Sequence, residues 1–459
     1  MVNAIRNKLG LDGAIAYTFL ARLVNIVGST GTVLLIVRFL SPVEQGYYYT
    51  LLSLVALQMV FELGFSFVIQ QLAAHECIHL EVQPDGCVTG DTAAHARLAS
   101  TLQLSMRWYT GAAVGMILFL APLGVFFFAR HVAPGGAEVA WHGPWLMAVT
   151  ASAVGLWCLP FYSFLEGCGQ VRAVAAMRLR QAIAASLLAW TAMLLHHGLY
   201  SPALVIVGQI GTGLFFLLKN RCLLTGLLRH PAGQFSIHWN REVWPFQWRI
   251  AVSWLCSNYA IQVFIPILFA LRGPVEAGQM GMSLSITGYM IALVLPWIST
   301  KATPFGRMIA ERKFQALDRL FLRTMGQALF AFGIIAVAAC AGAAMLPAIA
   351  PRIAARMVTP QLFAVLALAA GANCIVQSMA ILLRSFKNEP YLVQSIVVAS
   401  MTLVLGAATA HRWGNSGVST GYLFATAGIG LPIALFIFLR ARRTYLGIGQ
   451  LATCESGAR

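Results

Sequence analysis

Ser41-Pro42-Val43-Glu44-Gln45-Gly46 opens one apolar run, and Gly273-Pro274-Val275-Glu276-Ala277-Gly278 opens another 232 positions later. Pro-Val-Glu-x-Gly therefore recurs at an offset close to half of the 459-residue chain, which is the mark of an internal repeat. The structural motif residues are Pro42, Glu44 and Gly46 in the first copy and Pro274, Glu276 and Gly278 in the second. Each copy introduces a long apolar stretch, so the repeat pairs the second membrane-spanning segment of one half with the second of the other.

Working outward, 59% of the residues are hydrophobic and 10% are charged. A soluble chain carries roughly a quarter charged residues, so a water-soluble globule is excluded. Apolar runs of about 20 residues bounded by polar clusters fall at 13–36, 47–71, 108–129, 143–165, 179–195, 199–218, 250–271, 278–300, 325–347, 361–383, 391–410 and 418–439. The fold class expected is an all-α polytopic membrane protein of twelve transmembrane helices, in two six-helix halves around a central cavity. The halves are 1–218 and 250–439, joined by a cytoplasmic interfacial linker at 219–249 and followed by a basic tail at 440–459. The linker carries Trp239, Trp244, Phe246 and Trp248 among basic residues, a composition suited to the membrane interface and to anionic lipids. Met1 to Asp12 has no apolar core, so no cleavable signal peptide is expected.

With 31 Lys and Arg against 15 Asp and Glu, the net charge is +16. Placing the N-terminus in the cytoplasm puts 24 of the 31 cations on cytoplasmic segments, so both termini are expected there. The charge is spread over seven segments rather than gathered in one patch, which argues against nucleic acid as a partner. Two halves with an even number of spans enter the membrane from the same side. The relation implied is a pseudo-twofold along the membrane normal, as in transporters that rock between inward-open and outward-open states.

Polar residues inside the spans are the candidates for a site. Thr18, Arg22, Asn25, Ser29 and Thr32 form one stripe of the first span, and Gln58, Glu62, Ser66 and Gln70 form one face of the second. At about 1.5 Å of rise per residue, Arg22 and Glu62 lie at comparable depth, each about 10–14 Å from the cytoplasmic end of its span. An unpaired charge there costs at least ~2.5–3.5 kcal/mol, so Arg22 is expected to engage an anionic substrate with Glu62 holding it or carrying a coupling ion; the alternative is a structural ion pair. Arg249, Asn258 and Gln262 form a looser polar face on the seventh span, and Lys301 closes the eighth. Asn373 and Gln377, four apart in the tenth span, read as interhelical glue.

Absences discriminate between classes. No lysine follows a glycine, so there is no Walker A motif and transport must draw on a gradient, with H+ or Na+ as the coupling ions to consider and no organic cofactor expected. His75, Cys77, His79, Cys87 and His95 crowd one polar segment, but their spacing matches no established zinc pattern, and no metal site is expected. The outer loops are short and hold no convergent acid, base or nucleophile, which argues against a glycan polymerase or ligase and for a protein that is not an enzyme.

The stretch from Arg38 to Gly64, RFLSPVEQGYYYTLLSLVALQMVFELG, resembles the first hairpin of the bacterial O-antigen flippases, polysaccharide-biosynthesis proteins of the multidrug/oligosaccharidyl-lipid/polysaccharide exporter superfamily. The close match covers residues 38–76, and the six-plus-six plan extends it over the chain. The resemblance implies an inner-membrane flippase that moves a polyprenyl-diphosphate-linked oligosaccharide from the inner to the outer leaflet by alternating access, for O-antigen-like lipopolysaccharide, alongside other polysaccharide-assembly membrane proteins. The lipid II flippases of the superfamily are similar but have two further C-terminal spans. An ion-coupled small-molecule or multidrug antiporter is the alternative; drug-extruding relatives favour acidic groups in the cavity, whereas Arg22 suits a diphosphate.

Overall fold

The computed structural model describes residues 13–82, 88–131, 139–230, 244, 248, 251–252, 255–256, 262–386 and 390–457. The chain divides into two compact units, Met1–Ala251 and Val252–Arg459.

The first unit contains α1 (Gly13–Phe39), α2 (Pro42–Val55), α3 (Gln58–Glu62), α4 (Phe65–Glu76), α5 (Thr92–Arg130), α6 (His142–Gly167), α7 (Val171–Leu194), α8 (Ser201–Lys219) and α9 (Arg221–Arg229). Between α4 and α5 the chain makes a short antiparallel pair, β1 (Leu80–Val82) and β2 (Val88–Gly90), with Leu80 opposite Gly90. The quoted motif starts α2 for a clear reason. Ser41 is the N-cap, its Oγ accepting from the Glu44 amide at 3.2 Å while its own amide donates to Glu44 Oε2 at 2.7 Å. Pro42 follows in the first turn, where a missing N–H leaves nothing unsatisfied. Every residue from Gln45 to Leu51 is then buried, so α2 forms the middle of the unit.

Close packing here depends on small residues. A methyl group at Gly124 of α5 would run into the indole of Trp145, which is fully buried on α6 and donates through Nε1 to the Ala121 carbonyl at 3.0 Å. Gly28 and Gly31 of α1 lie under Ser186 and Trp190 of α7. Trp190 Nε1 donates to Thr32 Oγ1 at 3.1 Å, which gives the last member of the first polar stripe a structural task.

The second unit contains α10 (Phe264–Arg272), α11 (Pro274–Val294), α12 (Pro296–Ser299), α13 (Ala302–Ala310), α14 (Phe314–Ile349), α15 (Pro351–Ala354), α16 (Pro360–Arg384), α17 (Leu392–Leu423) and α18 (Leu431–Gly457), the last two joined by a wider π turn at Phe424–Gly430. Its core gathers Val294, Ile298, Phe305, Leu317, Phe321, Cys374, Leu382 and Phe438. From Leu392 to Leu446 the apolar helix is 55 residues long. At about 1.5 Å per residue it would be some 80 Å, far beyond a hydrocarbon core of about 30 Å. Gly414 resolves this, with φ 53° and ψ −132°. Beyond it the chain returns on itself: Gly417 lies on Thr409, Gly421 on Leu405, and Gly430 on Val398, while Tyr391 Oη donates to the Ala434 carbonyl at 3.1 Å. The pairing is that of an antiparallel helical hairpin, and it separates the two expected spans at 391–410 and 418–439.

Eight helical stretches among the described residues are long and apolar enough to cross a membrane, and nine if the bent pair Pro42–Glu62 and Phe65–Glu76 is one span. The Leu392–Leu446 stretch among them holds two arms. The fifth expected span is α7, less apolar because it contains Arg172, Arg178 and Arg180. The seventh is described at 251–252, at 255–256 and from Gln262 onward. Side chains such as Leu118, Phe215, Phe330, Val337 and Phe436 are more than 60% exposed, an apolar exterior that acyl chains solvate and water does not. The chain is an all-α, multi-pass membrane protein whose only strands among the described residues are the short pair.

Candidate functional site

The second span is broken. Leu63 and Gly64 both take left-handed backbone, φ 52° and 66°, and the pieces on either side are bent by 42°. For Gly64 the conformation is free of strain; for Leu63 it costs about 1–2 kcal/mol, which the surrounding packing must hold. Glu62 is the last residue before the break, and Ser66, just after it, donates its hydroxyl to Glu62 Oε1 at 2.6 Å. The expected stripe Gln58, Glu62, Ser66 and Gln70 therefore does not run along one straight helix face. The bend instead places an acidic group where helix geometry is interrupted, the arrangement by which membrane proteins build sites for ions and polar ligands.

Glu62 borders a cavity of about 220 Å³ inside the first unit. Gln58 and Glu62 line it from α3, Ser152, Gly155, Leu156, Leu159 and Tyr162 from α6, Met177, Arg178 and Gln181 from α7, and Ile206, Gln209 and Ile210 from α8. The α6 residues recur at three- and four-residue steps, one face of a helix. Arg178 is held by Glu166, with Nη2 2.5 Å from Oε2, so this cation arrives already neutralised. Gln181 Nε2 donates to the Gln209 carbonyl at 3.0 Å. Ser152 is 1% exposed and its Oγ has no hydrogen-bond partner among the described residues. A buried hydroxyl left unmatched, beside amides and an acid that makes no ion pair among the described residues, fits a wet or ligand-holding chamber better than a closed core. Chemically the cavity offers hydrogen-bond donors and acceptors for a polar group and one carboxyl able to exchange a proton or hold a cation.

Of the residues expected to form a site, only Glu62 lies in this cavity, together with Gln58 of the same stripe. Arg22 and Asn25 are exposed on α1, and no ion pair joins Arg22 to Glu62. The expected meeting of those two charges fails because depth alone was matched: the face of α1 that packs on α7 is the one carrying Gly28 and Gly31, whereas Arg22 points elsewhere. Gln262 and Lys301 are exposed, Lys301 as the residue preceding α13. Arg249 and Asn258 lie outside the described residues. Asn373 and Gln377 bond to each other along α16, Nε2 to Oδ1 at 3.3 Å.

Sequence reasoning missed Arg178, Glu166, Gln181, Gln209 and Ser152. Arg178 falls between the expected spans 143–165 and 179–195, yet it stands two turns into α7. Its signal was present as Arg178 and Gln181 at a three-residue step.

The two copies of the repeat have diverged in what their acids do. Glu44 closes the capping box with Ser41. In the second copy Gly273 stands in place of the serine, with φ 94°, and offers no side chain to cap. Glu276 is released: its Oε1 accepts from Arg272 Nε at 3.2 Å and its Oε2 from the Asn415 amide at 3.2 Å. Asn415 also donates through Nδ2 to Gln279 Oε1 at 3.1 Å, so the second motif fastens the turn at Gly414.

No family model matches the sequence, and no curated protein does. Solved structures do match. An inward-facing multidrug resistance MATE family transporter of the MOP superfamily superposes with a TM-score of 0.63 at 14% identity, over 94% of this chain and 96% of that one. The lipid II flippase MurJ in an inward closed conformation gives 0.64 at 13% identity, over 96% and 92%. A MATE protein in complex with MaD3S gives 0.59 at 15%, over 96% and 98%. The chain has the fold of the MOP-superfamily transporters. At these identities the likeness concerns the fold alone.

Proposed function

We propose that this protein is a flippase for a polyprenyl-diphosphate-linked oligosaccharide, working by alternating access in a bacterial inner membrane with both termini cytoplasmic, in the assembly of an O-antigen-like surface polysaccharide. The observation that carries a transport reading is the broken second span with Glu62 at its break, bordering a cavity that amides, hydroxyls and a guanidinium line together with apolar side chains. A sugar-diphosphate head cannot enter hydrocarbon with its hydrogen bonds unmet, and a chamber of amides, hydroxyls and a guanidinium replaces its hydration. The hairpin at Arg38–Gly64 and the likeness to a lipid II flippase support the lipid-linked substrate. In this reading Arg22, exposed and without an ion pair among the described residues, meets the diphosphate outside that cavity, with Asn25 on the same helix as a further contact. Glu62 carries a coupling H+ or Na+.

A second reading has its own support. Glu62 has no counter-ion among the described residues, and an unneutralised acid at membrane depth suits a cationic drug exchanged for H+ or Na+; multidrug transporters share the fold. One experiment separates the two. Express the chain in a host deleted for its own O-antigen flippase and measure surface glycan and resistance to organic cations. Restored glycan that is lost in Arg22→Glu supports the flippase; cation resistance lost in Glu62→Gln, with no glycan restored, supports the antiporter and overturns the first reading.

A further inference from the structure

Two thiols meet at one end of the first unit. Cys77 follows the last residue of α4, and Cys168 follows the last residue of α6. Both are unbridged and half-buried. Their approach is set by the backbone: a methyl at Gly167 would collide with Gln70, Ala73 and Ala74 of α4, so α6 ends directly against the last turn of α4. Across that contact the Cys77 and Cys168 thiols come within hydrogen-bonding reach of each other. Glu76 beside it is occupied, accepting from Arg97 Nε at 2.9 Å, and this ion pair fixes the end of α4 against α5.

We propose that Cys77 and Cys168 are an oxidation site, a dithiol that closes to a disulfide in response to a hydroperoxide. The interaction between the two thiols holds Cys77 below its ordinary range, against burial and the Glu76 charge, while Cys168 is pushed well above its own. The roles follow: Cys77 supplies the thiolate and Cys168 keeps its proton. Cys77 sulfur attacks one peroxide oxygen, the O–O bond breaks, and the departing oxygen takes a proton to leave water or an alcohol. Cys168 sulfur then displaces the hydroxyl of the resulting sulfenic acid, and the Cys168 proton leaves with it as water. Two electrons pass from the thiols to the peroxide, and a dithiol reductant reverses the step by exchange.

The position gives the modification a consequence. Cys77 ends the helix that begins at the break after Glu62, and Cys168 lies two residues beyond Glu166, which holds Arg178 at the cavity. A disulfide here ties together the ends of two helices that border or adjoin the chamber.

The test uses the full chain in native membranes, exposed to hydrogen peroxide and mapped by peptide mass spectrometry. The expected result is a linked Cys77–Cys168 peptide that dithiothreitol removes. In Cys168→Ser the link is lost and dimedone traps a sulfenic acid at Cys77; in Cys77→Ser both the link and the adduct are lost. Cys222, exposed and alone, is the internal comparison: Cys77 must be trapped before it despite its greater burial. Oxidation of Cys222 first, or a Cys77 that pairs elsewhere or stays unreacted in correctly inserted protein, overturns the proposal.

Discussion

Asp318 and Arg442 form a two-point ion pair in the second unit, and its removal has a calculable effect. Arg442 presents its fork side-on, Nε to Oδ1 and Nη2 to Oδ2, both at 2.7 Å, and Tyr445 Oη donates to Oδ1 at 3.1 Å. The pair ties the start of α14 to α18 over the core residues Leu317 and Phe321. Two charge-assisted bonds contribute ~1.5–3 kcal/mol each in gross terms. The net effect is smaller because Arg442 keeps 31% of its side chain exposed and recovers water when abandoned, whereas the Asp318 side chain keeps 12%. Asp318→Asn should therefore destabilise by about 2 kcal/mol, and Arg442→Ala, which strands a buried carboxylate, by about 3 kcal/mol, the lower end for broken buried pairs. The double variant should lose less than the sum, leaving a coupling of about 2 kcal/mol. Thermal unfolding of the purified full chain in detergent measures it; for a unit of some 200 residues each kcal/mol moves the midpoint by roughly 2–4 °C. Tyr445→Phe should cost only about 1 kcal/mol. Additive single and double variants, or single changes within about 0.5 kcal/mol of wild type, the range of ordinary surface substitutions, would refute the reasoning.

Gly414→Ala should destabilise the second unit by about 2–3 kcal/mol, because the backbone there is open to glycine alone and a methyl would meet Glu276 and Arg272; an unchanged melting midpoint would contradict it. Ser41→Ala removes one arm of the capping box and should cost about 1 kcal/mol in the same assay. His95 and His230 face each other with ring centroids 4.5 Å apart where Gln103 Nε2 caps α9 through the Leu227, Leu228 and His230 carbonyls. Burial first, and then the neighbouring His230, hold the His95 imidazole below its ordinary range, so the folded form takes up a proton less readily than the unfolded one. Stability is then complete above about pH 6.5 and declines as the pH falls through it. Amide protection factors in Arg221–Arg229, corrected for the intrinsic exchange rate at each pH, should fall between pH 7.5 and 5.5, and His95→Gln should remove the fall.

The stretch at Ser41–Gly46 and its echo at Gly273–Gly278 determined much on their own. Residue type and spacing suffice for the start of a helix, because capping and a first-turn proline act over one turn, and for spans, because apolar length is a local property. The repeat alone does not assign a role to its acid: Ser41 against Gly273 decides whether the glutamate caps its own helix or reaches to Asn415. The Leu392–Leu446 hairpin was visible as two apolar runs, although its reversal depends on a single residue in left-handed backbone. The site was far less legible. Glu62 announced itself as an acid in an apolar span, but its partner in the expectation, Arg22, was chosen by depth, a one-dimensional coordinate that says nothing about which way a helix is turned. Only tertiary packing decides that rotation. The glycines of α1 turn one face toward α7, the break at Leu63–Gly64 aims Glu62 into its chamber, and α7, beginning eight residues before the apolar run at 179–195, carries Arg178 into the cavity wall.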